Sequence, residues 1–458
     1  MENLRITDLN FLNRYYESGL SNILVVYGHR NIDHNTLINK FLENRRSIYY
    51  CARSASLKEQ LFLWAKELKE KGADISEYPS FEEIFDACLG VAGRNSFIIV
   101  IRNFEYLVKC SDEFIKELTS FVNKKGKLRQ VMVLLISHDV DWVENDMVGC
   151  LGDLAGNIAG FRKIKPLCFS EMREYFSDMS YNDAVMTFSV LGGQTSLWKY
   201  FDKSLSFKEN ICKNLIDEGS FLHYEAVRLI ERNLRETNVY QTLLAEMARG
   251  VNKLNDLYHV TGFSRAKISV YLKTLIHHDF VYKAYSFGNM GRENVQKGVY
   301  KIADPMVHFY YKFIYPNESS LLQMSSDKFY DIFISAGMQS YVNEYFRYIC
   351  REYLAKLEYT GQFPFEIEEE GQWLGKDGEI DFVAQSEMGD TAMAMCFWQK
   401  QMTHADLNNL LSCAKQARLE GDVIYLFSTE GFDAWLLDSA MKSSGVLKLI
   451  GIDELING

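Results

Sequence analysis

Three segments of the chain carry residues whose types and spacing could support chemistry. Gly28 directly follows the apolar run NILVVY and opens the segment GHRNIDHN (28–35), and a glycine at such a place lets backbone amides approach a phosphate. Asp381 closes the acidic segment GEID (378–381), and carboxylates are oxygen ligands that Mg²⁺ prefers. The segment SRAKISVYLK (264–273) has basic residues at helical spacing, which suits the phosphates of DNA.

The first of these segments must be positioned by an α/β arrangement. Apolar runs at 22–27, 96–104 and 130–137 alternate with stretches of helical spacing at 36–42, 81–91 and 112–123. Continuous apolar strands that alternate with helices are typical of a parallel sheet covered on both faces. We therefore predict such a sheet, with Gly28 at the end of its first strand.

The other two segments belong to different patterns. After Pro166 the chain has helical spacing, and from Val239 three helical segments precede FVYKAYSF, a polar loop (288–298) and VYKI, which predicts a winged helix. From residue 345 a helix leads to FVA (382–384), TAMAMCFW (391–398), a helix over 405–419 and VIYLFS (423–428). This order predicts a second, smaller α/β unit around Asp381.

Composition limits the class of protein. The 458 residues suffice for about three domains, and 47% hydrophobic with 24% charged residues is typical of globular chains rather than disordered ones. Nine cysteines form no CxxC pair, so we expect reduced thiols. The sequence has no signal-peptide pattern and no run of about 20 apolar residues, which predicts the cytoplasm and no membrane partner.

The net charge of −11 is concentrated in the last part of the chain, where residues 361–458 contain 17 Asp and Glu against 6 Lys and Arg. So acidic a surface repels phosphate backbones, which argues against nucleic-acid binding by that part. Residues 236–302 hold nine Lys and Arg against five Asp and Glu, a mild positive surplus. Any DNA contact is therefore expected in the winged helix.

Five segments together carry a family resemblance: VVYGHR (25–30), PLCFSEMREYF (166–176), LGG (191–193), YKIADPMVHFYYKFI (300–314), and WLG with GEIDFVA (373–384). With these in order, the chain resembles an archaeal and bacterial P-loop ATPase family related to AAA and STAND ATPases. The resemblance implies a P-loop ATPase-like core over 1–165, a helical lid over 166–235, a winged helix over 236–315, a helical connector over 316–344 and a restriction-endonuclease-like domain over 345–458.

The phosphate loop departs from the pattern of this family. A working loop reads G-x-x-x-x-G-K-[ST], in which the Lys neutralises phosphate charge and the hydroxyl binds Mg²⁺. Aligned on Gly28, the chain has Asp33 for the second glycine, His34 for the lysine and Asn35 for the hydroxyl residue. A carboxylate about 5 Å from a phosphate oxygen costs roughly 3 kcal/mol. Arg30 and His34 could still meet a phosphate, so residual ATP or ADP binding stays open.

The catalytic residues that the resemblance implies are also replaced. The family places a metal-holding Asp and a catalytic Glu after the apolar run at 96–104, where this chain has Arg102 and Asn103. Neither side chain can coordinate Mg²⁺ or act as a base. The family's Gly-Ser and Gly-Arg pairs are replaced by Ser137-His138 and Gly156-Asn157. We predict that the chain does not hydrolyse ATP.

The C-terminal segment resembles PD-(D/E)XK nucleases, in which an Asp and a Glu hold Mg²⁺ and a nearby Lys stabilises the attacking hydroxide. Asp381 fits the first position, but Met395 and Phe397 stand where the Glu and the Lys should be. Glu379 and the acidic run 368–370 could substitute, although such a run on a loop is usually a solvated surface. We predict a degenerate nuclease site with no metal.

The winged helix is the remaining candidate for contact with a partner. Ser264 is predicted to cap its third helix, and Arg265, Lys267, Ser269 and Lys273 could share the polar face of that helix. DNA binding and simple packing between the neighbouring domains both stay open. The sequence predicts a non-catalytic binding or regulatory protein with DNA or a protein as partner and no required cofactor. The alternative is a protein that responds to ATP or ADP without efficient hydrolysis.

Overall fold

A computed structural model describes residues 5–28, 32–93, 96–125, 130–288, 298–376 and 378–457. The chain forms two compact units, one of Met1–Leu167 with Gln194–Ser196 and the other of Cys168–Gly193 with Leu197–Gly458. In these described ranges, no helix combines the length and the apolar character needed to cross a membrane. The five-segment division expected from the sequence is finer than these two units and stays a prediction.

The first unit contains a five-stranded parallel sheet in the order β2-β3-β4-β1-β5. Its strands are β1 (Asn22–Tyr27), β2 (Ser47–Cys51), β3 (Phe97–Arg102), β4 (Val131–Ser137) and β5 (Ile158–Lys163). Its helices are α1 (Ile6–Glu17), α2 (His34–Leu42), α3 (Leu57–Glu70), α4 (Phe81–Ala92), α5 (Glu105–Cys110), α6 (Asp112–Lys125) and α7 (Met147–Leu151).

Helices cover both faces of this sheet, as the continuous apolar strands predict. Successive side chains of a strand point to opposite faces, and all those from Ile23 to Val26 are fully buried. Ile23 and Val25 pack in a core with residues of α3, α4 and α6. Leu24 and Val26 pack in a second core with residues of α1 and α2. The predicted α/β core is confirmed.

The sequence predicted β1, β3 and β4 but not β2 or β5. The three predicted strands lie inside the sheet, and nearly every residue in them is buried. β2 and β5 form the two edges, and their burial is partial or alternating. Edge strands lack the continuous apolar run by which the interior strands are found.

The second unit begins with helices and contains the expected three helices and hairpin. The hairpin strands are β6 (Val281–Tyr285) and β7 (Gly298–Ile302), which pair in antiparallel fashion. The loop between them, over 289–297, lies outside the described residues. The helices up to this hairpin are α8 (Phe169–Tyr175), α9 (Tyr181–Leu191), α11 (Phe207–Ile211), α12 (Glu225–Asn233), α13 (Thr237–Ala248), α14 (Leu254–Thr261) and α15 (Arg265–His277), together with α10 (Thr195–Trp198), whose first two residues belong to the first unit.

The last part of the second unit is a mixed five-stranded sheet in the order β12-β11-β10-β9-β8. β9 runs antiparallel to β8 and β10, whereas β10, β11 and β12 are parallel. This confirms the second α/β unit. Its strands are β8 (Glu369–Leu374), β9 (Glu379–Gln385), β10 (Thr391–Phe397), β11 (Val423–Ser428) and β12 (Leu447–Ile450). The helices are α16 (Pro305–Phe309), α17 (Glu318–Leu321), α18 (Ser326–Phe329), α19 (Ser335–Tyr359), α20 (His404–Ala417), α21 (Ala434–Lys442) and α22 (Ile452–Asn457).

Candidate functional site

The loop between β1 and α2 is the candidate nucleotide site, and Asp33 caps the helix that follows it. Asp33 Oδ1 accepts the backbone N–H of Thr36 at 3.1 Å, which satisfies a free amide at the start of α2. The backbone N–H of Asp33 donates to Thr195 Oγ1 at 3.2 Å. This residue therefore serves the helix, and its carboxylate stands at the helix end where a phosphate would bind. Arg30 lies outside the described residues.

His34 is buried, which removes it as a phosphate ligand in this conformation. Its residue surface is 2% exposed, and its ring lies edge-on to that of His138 with centroids 4.6 Å apart. Burial, and next His138, lower the pKa of His34 well below its usual value, so the imidazole is neutral. A Cβ on Gly28 would come within 2.5 Å of the backbone oxygen of Ile164 and within 3.1 Å of His34 Nε2, so a glycine is needed here.

Arg102 connects β3 with the start of α2 and the end of β4, where the parallel strands have their carboxyl-terminal ends. From the end of β3, its Nη1 donates to Asn35 Oδ1 at 2.6 Å, in the first turn of α2. Its Nε donates to His138 Nε2 at 3.1 Å, directly after β4. A cation thus occupies the strand end where a metal-holding carboxylate is expected. The sequence analysis identified Arg102, Asn35 and His138 as replacements of family residues. It did not predict the hydrogen bonds that join them.

Asn103 stabilises the backbone directly after β3, at the same carboxyl-terminal ends of the strands. Its φ of 54° is in the left-handed region, which Asn adopts more readily than most residues. Its Nδ2 donates to the backbone oxygen of Ala52 at 3.2 Å. The side chain therefore stabilises the turn after β3 and gives no base to a reaction.

Glu105 is a buried acid that the sequence analysis missed. It lies two residues after Asn103 at the start of α5 and is 4% exposed. Burial raises the pKa of Glu105 to about 7, although hydrogen bonds, including one from Ser137, oppose the shift. The signal that could have identified it is a single acid in the otherwise apolar and aromatic stretch FEYL.

The candidate nuclease site is organised around Arg347, which the sequence analysis also missed. Arg347 projects from α19 and pairs with both carboxylates of β9: its Nη2 donates to Glu379 Oε1, and its Nε lies 2.8 Å from Asp381 Oδ1. The second contact is poorly aligned for a hydrogen bond, so we describe it as an ion pair. Asp381 Oδ2 accepts the backbone N–H of Cys396 at 2.8 Å.

The remaining predicted nuclease positions carry no ligand for a metal. Met395 is 5% exposed and packs in the core of the C-terminal sheet. Phe397 lies beneath the ammonium of Lys400, 3.8 Å from the ring centroid. The acidic run was predicted on a loop, but Glu369 and Glu370 belong to β8, and Glu370 pairs with Arg351 at 2.6 Å. These acids do not supplement Asp381.

The third helix of the winged helix exposes all four predicted contact residues. Ser264 Oγ accepts the backbone N–H of Lys267 at 3.2 Å and caps α15, as predicted. Arg265 is engaged locally, with Nε donating to Asn255 Oδ1 at 2.9 Å. Lys267, Ser269 and Lys273 are exposed. At about 100° per residue, Lys267 and Lys273 lie on different sides of the exposed surface.

The hairpin of the winged helix packs against β8, whereas Lys267, Ser269 and Lys273 on the outer face of α15 are exposed. The backbone N–H of Phe287 donates to the oxygen of Gln372 at 2.8 Å, and the N–H of Leu374 donates to Ser286 Oγ at 2.9 Å. The packing role that the sequence analysis left open therefore applies to the hairpin. It does not use the exposed residues of α15.

A family model and a curated relative match the chain. The model of the DUF234 family, described as archaea bacterial proteins of unknown function, matches residues 310–409. This range includes WLG and GEIDFVA, on which the resemblance rests in part. An uncharacterized protein of Methanocaldococcus jannaschii, MJECL04, is 25% identical over 418 residues, which are 89% of each chain.

Two solved archaeal structures are similar to this chain. The Walker-type ATPase PABY2304 of Pyrococcus abyssi is 16% identical, with a TM-score of 0.48 over 67% of this chain and 95% of that one. The ORC2 protein of Aeropyrum pernix, in ADPNP and ADP complexes, is 13% identical, with a TM-score of 0.46 over 70% of this chain and 94% of that one. The family model matches only part of the chain, and it covers the C-terminal segments on which the predicted resemblance rests in part.

Proposed function

We propose that this ATPase-fold protein is non-catalytic and acts by binding a partner. The observation that carries the proposal is the contact of Arg102 with Asn35 and His138 beside the buried ring of His34. These side chains stand where the family has its Mg²⁺ ligands and its phosphate-binding lysine. Arg102 bonds to Asn35 and His138, and the buried ring of His34 packs against that of His138, so ATP would have to displace these groups before it could bind productively.

Electrostatics support the same proposal. Phosphoryl transfer needs a metal held by oxygen ligands and a residue that orients the attacking water. Arg102 repels a divalent cation, and His34 is neutral because it is buried. Glu105 is the buried acid nearest to Arg102 along the chain, and its pKa is raised to about 7, but it is only 4% exposed, so an attacking water has no access to its carboxylate. This arrangement favours neither metal binding nor base catalysis.

The test is to measure ATP hydrolysis, and the binding of ATP and ADP by thermal shift, with the full chain and Mg²⁺. We expect no turnover above a buffer control and no thermal stabilisation by ATP or ADP. Binding without turnover would favour the nucleotide-responsive alternative. Turnover that follows the protein through gel filtration and disappears in Arg102→Ala would overturn the proposal.

We propose that the C-terminal sheet is likewise inactive as a nuclease. Arg347 already neutralises charge on Glu379 and Asp381, so an incoming Mg²⁺ would have to compete with a covalently attached cation. The full chain should cut neither single-stranded nor double-stranded DNA with Mg²⁺ or Mn²⁺. Metal-dependent cutting that is abolished by Asp381→Ala would contradict this part of the proposal.

The partner that the winged helix fits best is DNA. α15 exposes Lys267, Ser269 and Lys273, and the hairpin rather than this helix packs on the C-terminal sheet. If DNA does not bind, we expect a protein partner at the same helix. The cytoplasm as the site of action stays a prediction from the sequence.

A further inference from the structure

A polar cleft lies within the second unit, among the winged helix, α16, α19 and the ends of β9 and β10. Its smaller part has a volume of about 110 Å³, and its larger part has about 520 Å³. Both parts are lined by Asn252, Lys301 and Glu344, so they adjoin. The larger part falls within the roughly 300–1,000 Å³ typical of small-molecule sites.

Cations dominate the smaller part. Arg249, Lys301 and Lys312 line it, against the single carboxylate of Glu344. Arg249 pairs with Glu246 at 2.5 Å. No ion pair among the described residues includes Lys301 or Lys312. This pocket therefore has two ammonium groups that no carboxylate contacts directly.

Of these two ammonium groups, that of Lys301 gives the stronger evidence for an anionic ligand. Its Nζ donates to Gln372 Oε1 at 3.1 Å, and an amide oxygen carries no formal charge. Burial, and next the repulsion of Arg347, lower the pKa of Lys301, although Glu379, Glu344 and Asp381 oppose the shift from a distance. An anion in the pocket would supply the missing countercharge. Folding thus keeps a partly buried amine in a position suited to an anionic ligand.

Neutral polar groups complete the smaller part. The hydroxyls of Tyr282 and Tyr348 lie 2.7 Å apart, and Tyr345 Oη lies 2.8 Å from His308 Nδ1. Burial lowers the pKa of His308 to about 3, so its ring is neutral. In the bonded pair of Tyr282 and Tyr348, one hydroxyl keeps a proton that can donate to a ligand. With the two ammonium groups, this donor lies around a space of about 110 Å³ that suits a tetrahedral oxyanion.

The larger part suits an organic group joined to such an anion. Phe397 supplies aromatic surface, and Asn343 and Gln339 supply amides. Arg347 lines the cavity but is already held by Asp381 and Glu379. We propose that this cleft binds a phosphate monoester, with the phosphate held by Lys301 and Lys312 and the organic part in the larger cavity.

The test is calorimetric titration of the full chain with three probes. These are inorganic phosphate, the four common nucleoside 5′-monophosphates, and a 5′-phosphorylated single-stranded oligonucleotide. We expect phosphate to bind weakly and at least one nucleotide to bind more tightly. If only the oligonucleotide binds, the phosphate source is a nucleic-acid end, and the assignment of a small molecule to the larger cavity is wrong.

Two variants and a matched control assign the site. Lys301→Met and Lys312→Met should each weaken phosphate-ester binding by about tenfold or more, because each removes a charge-assisted hydrogen bond. Lys356→Met, on the exposed surface of α19 and outside the cleft, should leave affinity unchanged. Lys312 is only partly buried, so its variant tests binding even if Lys301→Met folds poorly. Failure of every probe to bind below about 1 mM, or full affinity in Lys312→Met, would overturn the proposal.

Discussion

Arg347 and Asp381 form a buried ion pair in which Nε lies 2.8 Å from Oδ1, and their side chains are 18% and 6% exposed. Burial raises the pKa of Asp381 to about 6, whereas the guanidinium of Arg347 acts in the opposite direction. The same guanidinium also reaches Glu379. An internal cation thus pairs with two acids that the sequence offers as candidate metal ligands.

The first prediction is that Arg347→Met destabilises the protein strongly. Removing one partner of a buried ion pair typically costs about 3–5 kcal/mol, because the other charge is left uncompensated. The free energy of unfolding, measured with urea at pH 7, should fall by an amount in this range. Arg351→Met is the matched control, because its partner Glu370 is exposed, and such pairs are worth about 1 kcal/mol or less.

A double variant separates charge from packing at this site. Arg347→Met/Asp381→Asn should recover part of the lost stability, since it removes the buried negative charge together with its partner. If Arg347→Met is no worse than Arg351→Met, the pair does not stabilise the fold. The account of Arg347 as the replacement for a metal would then lose its energetic basis.

The second prediction concerns pH and Glu105. Its pKa is raised from 4.5 to about 7 in the folded chain, so the folded state favours the protonated form. The stability from this group is therefore fully present below pH 4.5 and is lost as the pH rises through about 7. A shift of this size corresponds to at most about 3 kcal/mol.

Glu105→Gln should therefore stabilise the protein relative to wild type at pH 8 and have little advantage at pH 4.5. The measurement is the difference in unfolding free energy between variant and wild type across this pH range. Glu70→Gln is the control, because Glu70 is exposed at the end of α3 and should show a flat difference. An equally flat difference for Glu105→Gln would show that the acid is hydrated in solution.

The third prediction is that Arg102 and Asn35 are energetically coupled. Their hydrogen bond, from Nη1 to Oδ1 at 2.6 Å, involves a charged donor, but Asn35 is exposed. We expect each of Arg102→Met and Asn35→Ala to cost about 1 kcal/mol. The double variant should cost less than the two together by about 0.5 kcal/mol or more. Strict additivity would mean that the contact does not persist in solution.

The limits of sequence reasoning are clear at the two candidate sites around Arg102 and Asp381. The interior strands β1, β3 and β4 were predictable because continuous apolar runs are found in buried parallel strands. Arg102 and His34 were identified because a known motif assigns a role to each position. Arg347 was not, since it lies 34 residues before Asp381 on a helix, and only the packing of α19 on the sheet brings the two together.

The sequence also could not show which polar side chains are buried. His34 was interpreted as a residue that could still meet a phosphate, but its neutral charge follows from the enclosure of its ring by neighbours such as Gly28 and His138. Lys301 reads as one more basic residue of the winged helix. Its position in a cleft depends on contacts with β8 and α19, which are distant along the chain.

The last prediction is that DNA binding resides on α15, is weak and is largely independent of sequence. The exposed cations there can neutralise only a few phosphates, and each contributes a slope of about −0.9 to the logarithmic salt dependence, so we expect a total slope of about −2 to −4. Arg265 is already held by Asn255, which leaves the helix without a free arginine to read base edges.

Lys267→Glu/Lys273→Glu should abolish binding to a labelled duplex at low salt. The matched control is Lys328→Glu/Lys356→Glu, which changes the net charge equally at two exposed lysines outside the winged helix. Because long-range repulsion depends on total charge, the control should weaken binding only slightly. Equal loss in both variants would indicate nonspecific attraction by the whole protein. If wild type does not bind even at low salt, the exposed face of α15 is to be tested against protein partners instead.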